Sequence, residues 1–224
     1  MILSIETSTP VCSVALQNSS GRIFEKRTEG RGVHSERTFL FIQELLERTG
    51  TDISGLNAVL FSNGPGSYTG LRIGASAVKG ILFGREVPFY TYPTLISFAA
   101  GVGSVNKNAA RIFSVIDARR NHLYVQQVDR DSSGFSANGE PSVKTLEEIS
   151  ESLQHGDILA GTGWERLSLP DKKQIETYGS NIISAKNLIL AWKDDSLKKY
   201  FKKEDPATFE PNYLNMAQVN NSSV

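Results

Sequence analysis

Cysteine, histidine and net charge are all scarce in this chain of 224 residues. It holds one cysteine, Cys12, and three histidines. A single thiol forms neither an internal disulfide nor a cysteine-based zinc site, so we expect a reducing compartment. Lysine plus arginine number 24, as do aspartate plus glutamate, and the formal net charge is zero. This balance excludes a broad cationic surface for nucleic-acid phosphates, and we expect any RNA to be held with the help of another protein.

The N-terminal stretch also lacks a long apolar run. The opening letters "MILSIETSTPVCSVAL" have no basic start and are interrupted by Glu6 and Pro10, whereas a membrane helix needs about 20 apolar residues. We therefore expect a soluble cytoplasmic protein that does not act at a membrane. The length suffices for a large core without disulfides.

What the chain does contain is a repeated alternation of strand and helix signals. Its first half predicts a three-stranded meander, a helix, a fourth strand and a second helix, and a similar order restarts near Pro93. This pattern indicates an α/β protein of two related lobes, 1–96 and 97–224. The segments predicted in the first lobe are strands 2–6, 12–17, 22–27 and 58–62 and helices 35–49 and 69–83. Those in the second are strands 111–118 and 123–129, a loop 131–140, a helix capped near Thr145, a helix 181–195 and a disordered polar tail.

The stretch "NGPGSYTGLRIG", residues 63–74, holds four glycines directly after a predicted strand. A phosphate-binding P-loop needs lysine followed by serine or threonine, but Gly70 is followed by Leu71 and Arg72. The glycines also miss the G-x-G-x-x-G register of a dinucleotide fingerprint. We interpret the stretch as a strand-to-helix turn with Ser67 or Thr69 as the helix cap, whose free amides could still accept an anion.

The helix predicted at 69–83 is apolar or small around most of its circumference. At 100° per residue, one stripe covers the sheet, and an arc nearly opposite is lined by small or apolar residues. A helix of this kind is buried on two sides, either against a foreign backbone or against another element of its own chain. The second arc consists of Gly70, Ile73, Gly74, Ala77, Gly80, Ile81 and Gly84.

The preceding helix, 35–49, supports the first alternative, contact with a foreign backbone. Its core stripe contains Phe39, Ile42, Leu45 and Leu46, and the remaining apolar residues are predicted to form an exposed patch. We therefore predict a docking surface for another protein, and expect a charge at Gly74 or Ala77 to block assembly while leaving the fold intact. The predicted contact residues are Leu40, Phe41, Glu44, Gly70, Ile73, Gly74, Ala77 and Ile81.

Catalytic signatures are absent or incomplete. His34 begins a helical H-x-x-x-T instead of H-x-x-x-H, so Thr38 replaces the second imidazole of a metal pair and we expect no metal. Glu6 and Asp117 end corresponding strands of the two lobes, and with Thr7 and Ser8 they form a candidate degenerate nucleotide site. An ordinary turn explains Thr7 and Ser8 equally well. The neighbouring Arg119 and Arg120 fit a pair with Asp117, a partner's phosphate, or a solvated turn.

Five stretches together resemble one bacterial family. They are "ILSIETSTPVCSVAL", "GRGVHSERTFLFIQELL", "NGPGSYTGLRIGASAVKGI", "VIDARRNHLYV" and "PNYL", and in order and spacing they are similar to the TsaB (YeaZ) family. The resemblance implies an ASKHA fold (actin/hexokinase-like, ribonuclease H-like), with two lobes of mixed sheets flanked by helices.

The resemblance also implies a function without catalysis. TsaB-like proteins are regarded as inactive paralogues of TsaD, the enzyme that transfers a threonylcarbamoyl group to the adenosine 3′ of a tRNA anticodon. They bind TsaD through the helices of the first lobe, TsaE joins the assembly, and the same faces can form a homodimer. The resemblance thus implies no cofactor, with ATP bound only weakly or within the complex, and contact with tRNA only through the complex. Two alternatives stay open: an ASKHA-type nucleotide-binding enzyme, and a glycopeptidase-like metalloenzyme using His34.

Overall fold

The computed structural model describes residues 1–169 and 175–214. The first lobe contains β1 (Ile2–Glu6), β2 (Val11–Gln17), β3 (Ile23–Glu29), α1 (Val33–Thr49), β4 (Ala58–Ser62), α2 (Tyr68–Leu82) and β5 (Phe89–Tyr92). The second contains α3 (Thr94–Val105), β6 (Arg111–Asp117), β7 (His122–Asp131), β8 (Gly134–Thr145), α4 (Leu146–Ser152), β9 (Ile158–Gly161), β10 (Glu176–Tyr178), α5 (Lys186–Lys193) and α6 (Asp195–Lys198). A last strand, β11 (Lys202–Glu204), follows. No helix within the described residues is both long and apolar enough to span a bilayer.

The two sheets repeat one topology. The first has the order β11-β5-β4-β1-β2-β3 and the second β10-β9-β6-β7-β8. In each, a central strand (β1 or β6) pairs antiparallel with the next strand of a meander on one side and parallel with the first of two crossover strands on the other. The predicted α/β class with two mixed sheets is confirmed. The parallel strands are joined by helices that cover the sheets, as crossover connections require.

The end of the chain returns to the first lobe. β11 pairs antiparallel with β5, and the following residues, 205–214, which we call the C-terminal strap, insert Phe209 into the core of the first lobe. The strap and β11 therefore belong to the first lobe, although the sequence pattern assigned all of 97–224 to the second. The part of the predicted disordered tail from residue 215 onward lies outside the described residues.

Several element boundaries differ from the predictions for local reasons. α1 begins at Val33, after Gly32 in a left-handed conformation (φ 73°), so Ser35 is not its cap. The predicted loop 131–140 is wrong, because only the tight turn before Gly134 (φ 110°) interrupts the β7–β8 hairpin. Asp194 ends α5 and caps α6 with its carboxylate, which divides the predicted helix 181–195. The Thr145 cap is confirmed, with a complete capping box to Glu148.

The lobes pack through polar contacts as well as a shared apolar core. Ser4 Oγ donates a hydrogen bond to the Ala185 carbonyl (2.8 Å), and the Glu25 carboxylate accepts from Ser13 and pairs with Lys186 (2.9 Å). One apolar cluster lies between the two sheets around α3 and α5. A separate cluster lies between the first sheet and the layer of α1 and α2.

Candidate docking surface

The glycine loop folds as a capped turn between β4 and α2. The Gly64–Pro65 peptide is cis, and Gly64 has a φ of 113° that favours glycine. Ser67 Oγ accepts a hydrogen bond from the Gly70 amide (3.2 Å), which confirms the predicted cap. The loop is fastened from outside by the strap, since the Asn212 amide donates to the Asn63 carbonyl (2.8 Å).

The glycines of α2 make room for the chain's own β1–β2 turn. The Ser67 amide donates to the Ser8 carbonyl (2.6 Å). A Cβ atom on Gly70 would stand 2.1 Å from the Thr7 carbonyl oxygen, and one on Gly74 2.5 Å from the Phe61 ring. The prediction that Gly70 and Gly74 admit a foreign backbone is wrong. The alternative, that another element of the same chain covers them, is confirmed.

The candidate nucleotide site is closed in the same way. Glu6, Thr7 and Ser8 have no solvent exposure, because the glycine loop lies on the turn that carries them. Asp117 is exposed, but its carboxylate accepts hydrogen bonds from Arg166 (2.6 Å) and from the Arg119 amide (2.7 Å). Within the described residues no hydrogen bond joins Asp117 to the other three. In this structure Glu6, Thr7 and Ser8 thus present no surface to a ligand while Asp117 does, and the degenerate nucleotide site stays a prediction.

Arg119 and Arg120 lie at the tip of the β6–β7 hairpin. Both have a positive φ, 71° and 49°, which is uncommon for residues with a side chain. The backbone of Arg119 pairs with Asp117, while Arg166 supplies the guanidinium that neutralises this carboxylate. The sequence left open whether Arg119 and Arg120 pair with Asp117. In the structure the Arg119 amide bonds Asp117, whereas the Arg119 side chain does not.

Glu6 is a buried carboxyl with only one of its oxygens engaged. Its Oε1 accepts a hydrogen bond from the Ser8 amide (2.6 Å), whereas its Oε2 is buried and has no partner among the described residues. Burial disfavours the charged form and raises the pKa of Glu6 above its ordinary value, although the neighbouring Ser62 hydroxyl and the hydrogen bonds from Ser8 oppose this. The folded protein therefore binds a proton here more readily than the unfolded chain does.

Replacing Glu6 with glutamine is expected to remove a pH-dependent loss of stability. Because the folded-state pKa is raised, the contribution of this group to stability is fully present below the unfolded value of 4.5 and is lost as pH rises through the folded pKa. Denaturant unfolding at several pH values measures it, and the difference between Glu6→Gln and the wild type should grow in favour of the variant as pH rises. A difference that does not change with pH would contradict the buried, proton-binding carboxyl.

His34 has a structural role in this fold. Its Nε2 donates to the Thr9 carbonyl (2.8 Å), and Thr38 Oγ1 donates to the His34 carbonyl (2.7 Å). Burial lowers the pKa of His34 and favours the neutral imidazole, although the hydrogen bonds to the Thr9 and Val11 carbonyls oppose this shift. Within the described part of the chain, no group of three or more His, Cys, Asp or Glu side chains is placed to hold a metal ion.

The exposed surface of α1 and α2 is mostly polar but carries a few large apolar side chains, and most of the predicted contact residues are not among them. Three of the predicted contact residues are buried, namely Phe41, Ala77 and Ile81. Two more, Ile73 and Glu44, are half-buried, and Leu40 is exposed. Glu44 pairs with Lys26 (2.8 Å). The large apolar side chains that do face solvent are Phe39 (50% exposed), Leu40 (38%), Tyr68 (54%) and Phe83 (85%). We call these four residues the apolar ridge.

The error on α1 has a simple origin. The buried stripe of this helix runs through His34, Thr38, Phe41, Ile42 and Leu45, which is the spacing of a buried helix face. Because its first two members are polar, the apolar letters alone placed Phe39 in the core and Phe41 outside. Phe39 instead leans toward α2, where a Cβ on Gly80 would stand 3.8 Å from its ring.

An open groove of about 590 Å³ adjoins the apolar ridge. Its walls are the second half of α1, the segment after it and the end of α2, so Phe39 of the ridge forms one side. Leu46, Ile53 and Ile81 supply apolar surface, and Glu47 and Arg85 supply opposite charges. The ridge and the groove together give this layer an apolar surface with a polar rim, the composition typical of protein interfaces.

Comparison with known proteins agrees with this architecture. Residues 29–219 match the family model described as "TsaD: tRNA N6-adenosine threonylcarbamoyltransferase". A curated relative from Escherichia coli, "tRNA threonylcarbamoyladenosine biosynthesis protein TsaB", is 35% identical over 73% of this chain and 72% of its own length. The protein of the same name from Haemophilus influenzae is 30% identical over 81% and 79%. The chain belongs to the TsaB family.

A solved structure supports the same membership. "YeaZ from Pseudomonas aeruginosa" superposes with a TM-score of 0.80 at 26% identity, over 95% of this chain and 99% of that one. The predicted ASKHA-like, two-lobed fold of the TsaB (YeaZ) family is therefore confirmed. The family match also covers the glycine loop, the α2 helix and the whole strap, which are the elements around the closed turn.

Proposed function

We propose that this chain is a non-catalytic subunit in the biosynthesis of threonylcarbamoyladenosine in tRNA. Its curated relatives carry that biosynthetic name. In this proposal the apolar ridge and its groove dock onto TsaD, TsaE joins the assembly, and tRNA is modified by the catalytic subunit. The observation that carries the proposal is the exposure of four large apolar side chains on two neighbouring helices of one layer.

The exposed side chains favour a protein partner. Phe83, at the end of α2, is 85% exposed, and burying an aromatic side chain of this size is worth about 2 kcal/mol. Aromatic anchors next to a groove are typical of the residues that dominate binding energy at interfaces. A stable contact of standard size, about 1,600 Å² in total, has room for the ridge and the groove together.

Activation of a partner without chemistry requires preferential binding to its active conformation. The subunit proposed here needs no metal, no cofactor and no bound nucleotide for this task, with ATP restricted to weak binding or to the assembled complex. In the absence of TsaD, the same apolar surface is proposed to pair with a second copy of the chain. The buried Glu6, the paired Asp117 and the engaged His34 favour this reading over a nucleotide-binding enzyme or a metalloenzyme.

Introducing charge at the ridge is expected to abolish co-purification with TsaD. Phe39→Glu and Phe83→Asp each remove an anchor and bury a charge in the contact, so each should weaken binding about 30-fold or more. Pull-down and titration by calorimetry measure the loss. Ala77→Arg is not a suitable test, because Ala77 has no solvent exposure and the change would disturb the fold.

The matched control is Val105→Asp. Val105 is 63% exposed at the end of α3, away from α1 and α2, so the same kind of charge there should leave TsaD binding unchanged. All three variants should unfold at nearly the wild-type temperature, since surface substitutions usually change stability by no more than about 0.5 kcal/mol. Undiminished binding of TsaD by Phe39→Glu and Phe83→Asp would contradict the proposed docking surface.

A further inference from the structure

Four exposed lysines lie on α5, at the end of α6 and on β11, near the place where two aromatic side chains of α5 and β5 pack together. Lys193, Lys198, Lys199 and Lys203 are exposed, and we call them the lysine patch. Trp192 and Tyr90 pack edge to face with ring centroids 4.7 Å apart. The Lys198 ammonium stands 5.4 Å from the Trp192 ring centroid, and Lys203 is the register partner of Tyr90 across β11 and β5.

The same segment also carries Asp194, Asp195, Glu204 and Asp205, and three of these four carboxylates have other partners. Asp194 Oδ1 accepts from the Ser196 and Leu197 amides as a helix cap, and Asp205 Oδ1 accepts from the Ala207 amide (2.9 Å). Glu204 pairs with Lys202 (2.8 Å), which lies on the other face of β11. No carboxylate within the described residues lies within 4.0 Å of the four patch ammoniums.

Protection of a sheet edge does not account for the whole patch. Lysines on an edge strand prevent pairing with other chains, and this explains Lys202 and Lys203 on β11. It does not explain Lys193 on α5 or Lys198 and Lys199 at the end of α6, because neither helix is a sheet edge. Exposed ammoniums without an ion-pair partner next to partly exposed aromatic rings are features by which proteins hold a nucleic-acid backbone and its unpaired bases.

The patch also remains accessible when the docking surface is covered. Tyr90 and Trp192 pack on the side of the first sheet that faces the second lobe, whereas α1 and α2 cover the opposite side. A protein bound to the apolar ridge therefore does not occupy this face. The chain has no net charge, so its contact with a polyanion has to be local, and four lysines suit a few adjacent phosphates.

We propose that the lysine patch binds the sugar–phosphate backbone of RNA, with Trp192 and Tyr90 available to an unpaired base. The inference rests on the proposed function for the identity of the RNA, a tRNA presented to the assembled complex. It goes beyond the expectation that this chain meets tRNA only through the complex, because it gives the chain a tRNA contact of its own.

The salt dependence of tRNA binding tests this inference. Each lysine–phosphate contact contributes about 0.7 to 0.9 to the slope of log affinity against log salt, so replacing all four patch lysines with glutamine should lower the slope by about 3. Between 50 and 200 mM salt the wild-type complex with TsaD should then lose about 60-fold more affinity for a tRNA transcript than the variant does. An unchanged slope would overturn the inference.

Two neighbouring lysines provide the matched control. Lys203→Gln should lower the slope by about one contact, whereas Lys202→Gln, on the opposite face and paired with Glu204, should leave it unchanged. In a Trp164→Phe background Trp192 is the remaining tryptophan, and its fluorescence should change on adding tRNA. Equal slopes for the two single variants together with unaltered Trp192 fluorescence would overturn the inference.

Binding of TsaD, measured on the same variants, separates this inference from the proposed function. If the complex forms and modifies tRNA but the slope is unchanged, only the patch assignment fails. If TsaD does not bind while the isolated chain still binds tRNA through the patch, the proposed function fails and the RNA site stands. Patch-dependent binding to phosphatidylglycerol vesicles without an effect on tRNA would identify an anionic membrane as the ligand and overturn the RNA assignment.

Discussion

Replacing Gly70 with alanine is expected to lower the free energy of unfolding by about 3 kcal/mol, at the upper end of the usual cost of overpacking. The added Cβ would stand 2.1 Å from the Thr7 carbonyl oxygen, so either α2 or the β1–β2 turn has to move. Both are held from other sides, α2 by the sheet and the turn by the Ser67 amide. Chemical and thermal unfolding measure the loss, and the melting temperature should fall by roughly 6–12 °C.

Gly80→Ala is the matched control on the same helix. A Cβ at Gly80 would meet only the Phe39 ring at 3.8 Å, an ordinary contact. Alanine is the better helix former by about 1 kcal/mol, so this variant should be as stable as the wild type or more stable. A Gly70→Ala variant as stable as Gly80→Ala would show that the glycine face of α2 is not closed against its own chain.

Gly70 and Gly80 show which features of α2 the sequence predicts and which it does not. The small and apolar residues around α2 predict a helix buried on two sides, and this holds for Gly70, Gly74, Ala77 and Ile81. What the pattern does not contain is the identity of the second covering element. The β1–β2 turn lies about sixty residues earlier in the chain, and a local periodicity carries no information on such a contact.

The architecture, in contrast, could be predicted because it depends on local sequence signals. Strands such as Ala58–Ser62 and Arg111–Asp117 are short apolar runs bounded by turn residues, and the hairpin–helix–strand order recurs in both halves. Local signals of this kind, placed in order, determine an α/β topology because crossover connections are right-handed and short. The family resemblance added the proposed function, which depends on a partner that the topology does not reveal.

The docking surface stays a prediction, and the side chains it can use differ from those expected because burial and exposure depend on helix phase. Of the predicted contact residues, Leu40 is exposed on α1. A shift in phase on α1, caused by the polar buried residues His34 and Thr38, exchanged the places of Phe39 and Phe41. Polar residues that are satisfied internally, as Thr38 is by the His34 carbonyl, are invisible to a reading based on hydrophobic letters.

The strap was missed because a single buried aromatic in a polar segment has no periodicity. Phe209 nonetheless lies 4% exposed between Phe61 and Phe89, with ring centroids 5.8 and 5.1 Å away in edge-to-face geometry. Since Asn212 bonds the glycine loop and Tyr213 packs on Tyr68 with centroids 4.9 Å apart, the strap links the end of the chain to the start of α2. Its anchoring therefore supports one member of the apolar ridge.

Phe209→Ala is accordingly expected to cost about 4 kcal/mol, because truncating a buried phenylalanine removes its transfer energy and leaves a cavity. Phe83→Ala, which removes the same atoms from an 85% exposed position, should change stability by no more than about 0.5 kcal/mol. Binding of TsaD should show the reverse order, because Phe83→Ala weakens the proposed docking while leaving the strap in place.

Native-state hydrogen exchange tests the anchoring of the strap directly. Phe209→Ala should speed exchange of the Asn212 amide, whose acceptor is the Asn63 carbonyl. Equal stability of the two variants, or unchanged protection of that amide, would contradict an anchoring role for Phe209, because a strap that merely lies on the surface loses nothing when its aromatic ring is removed.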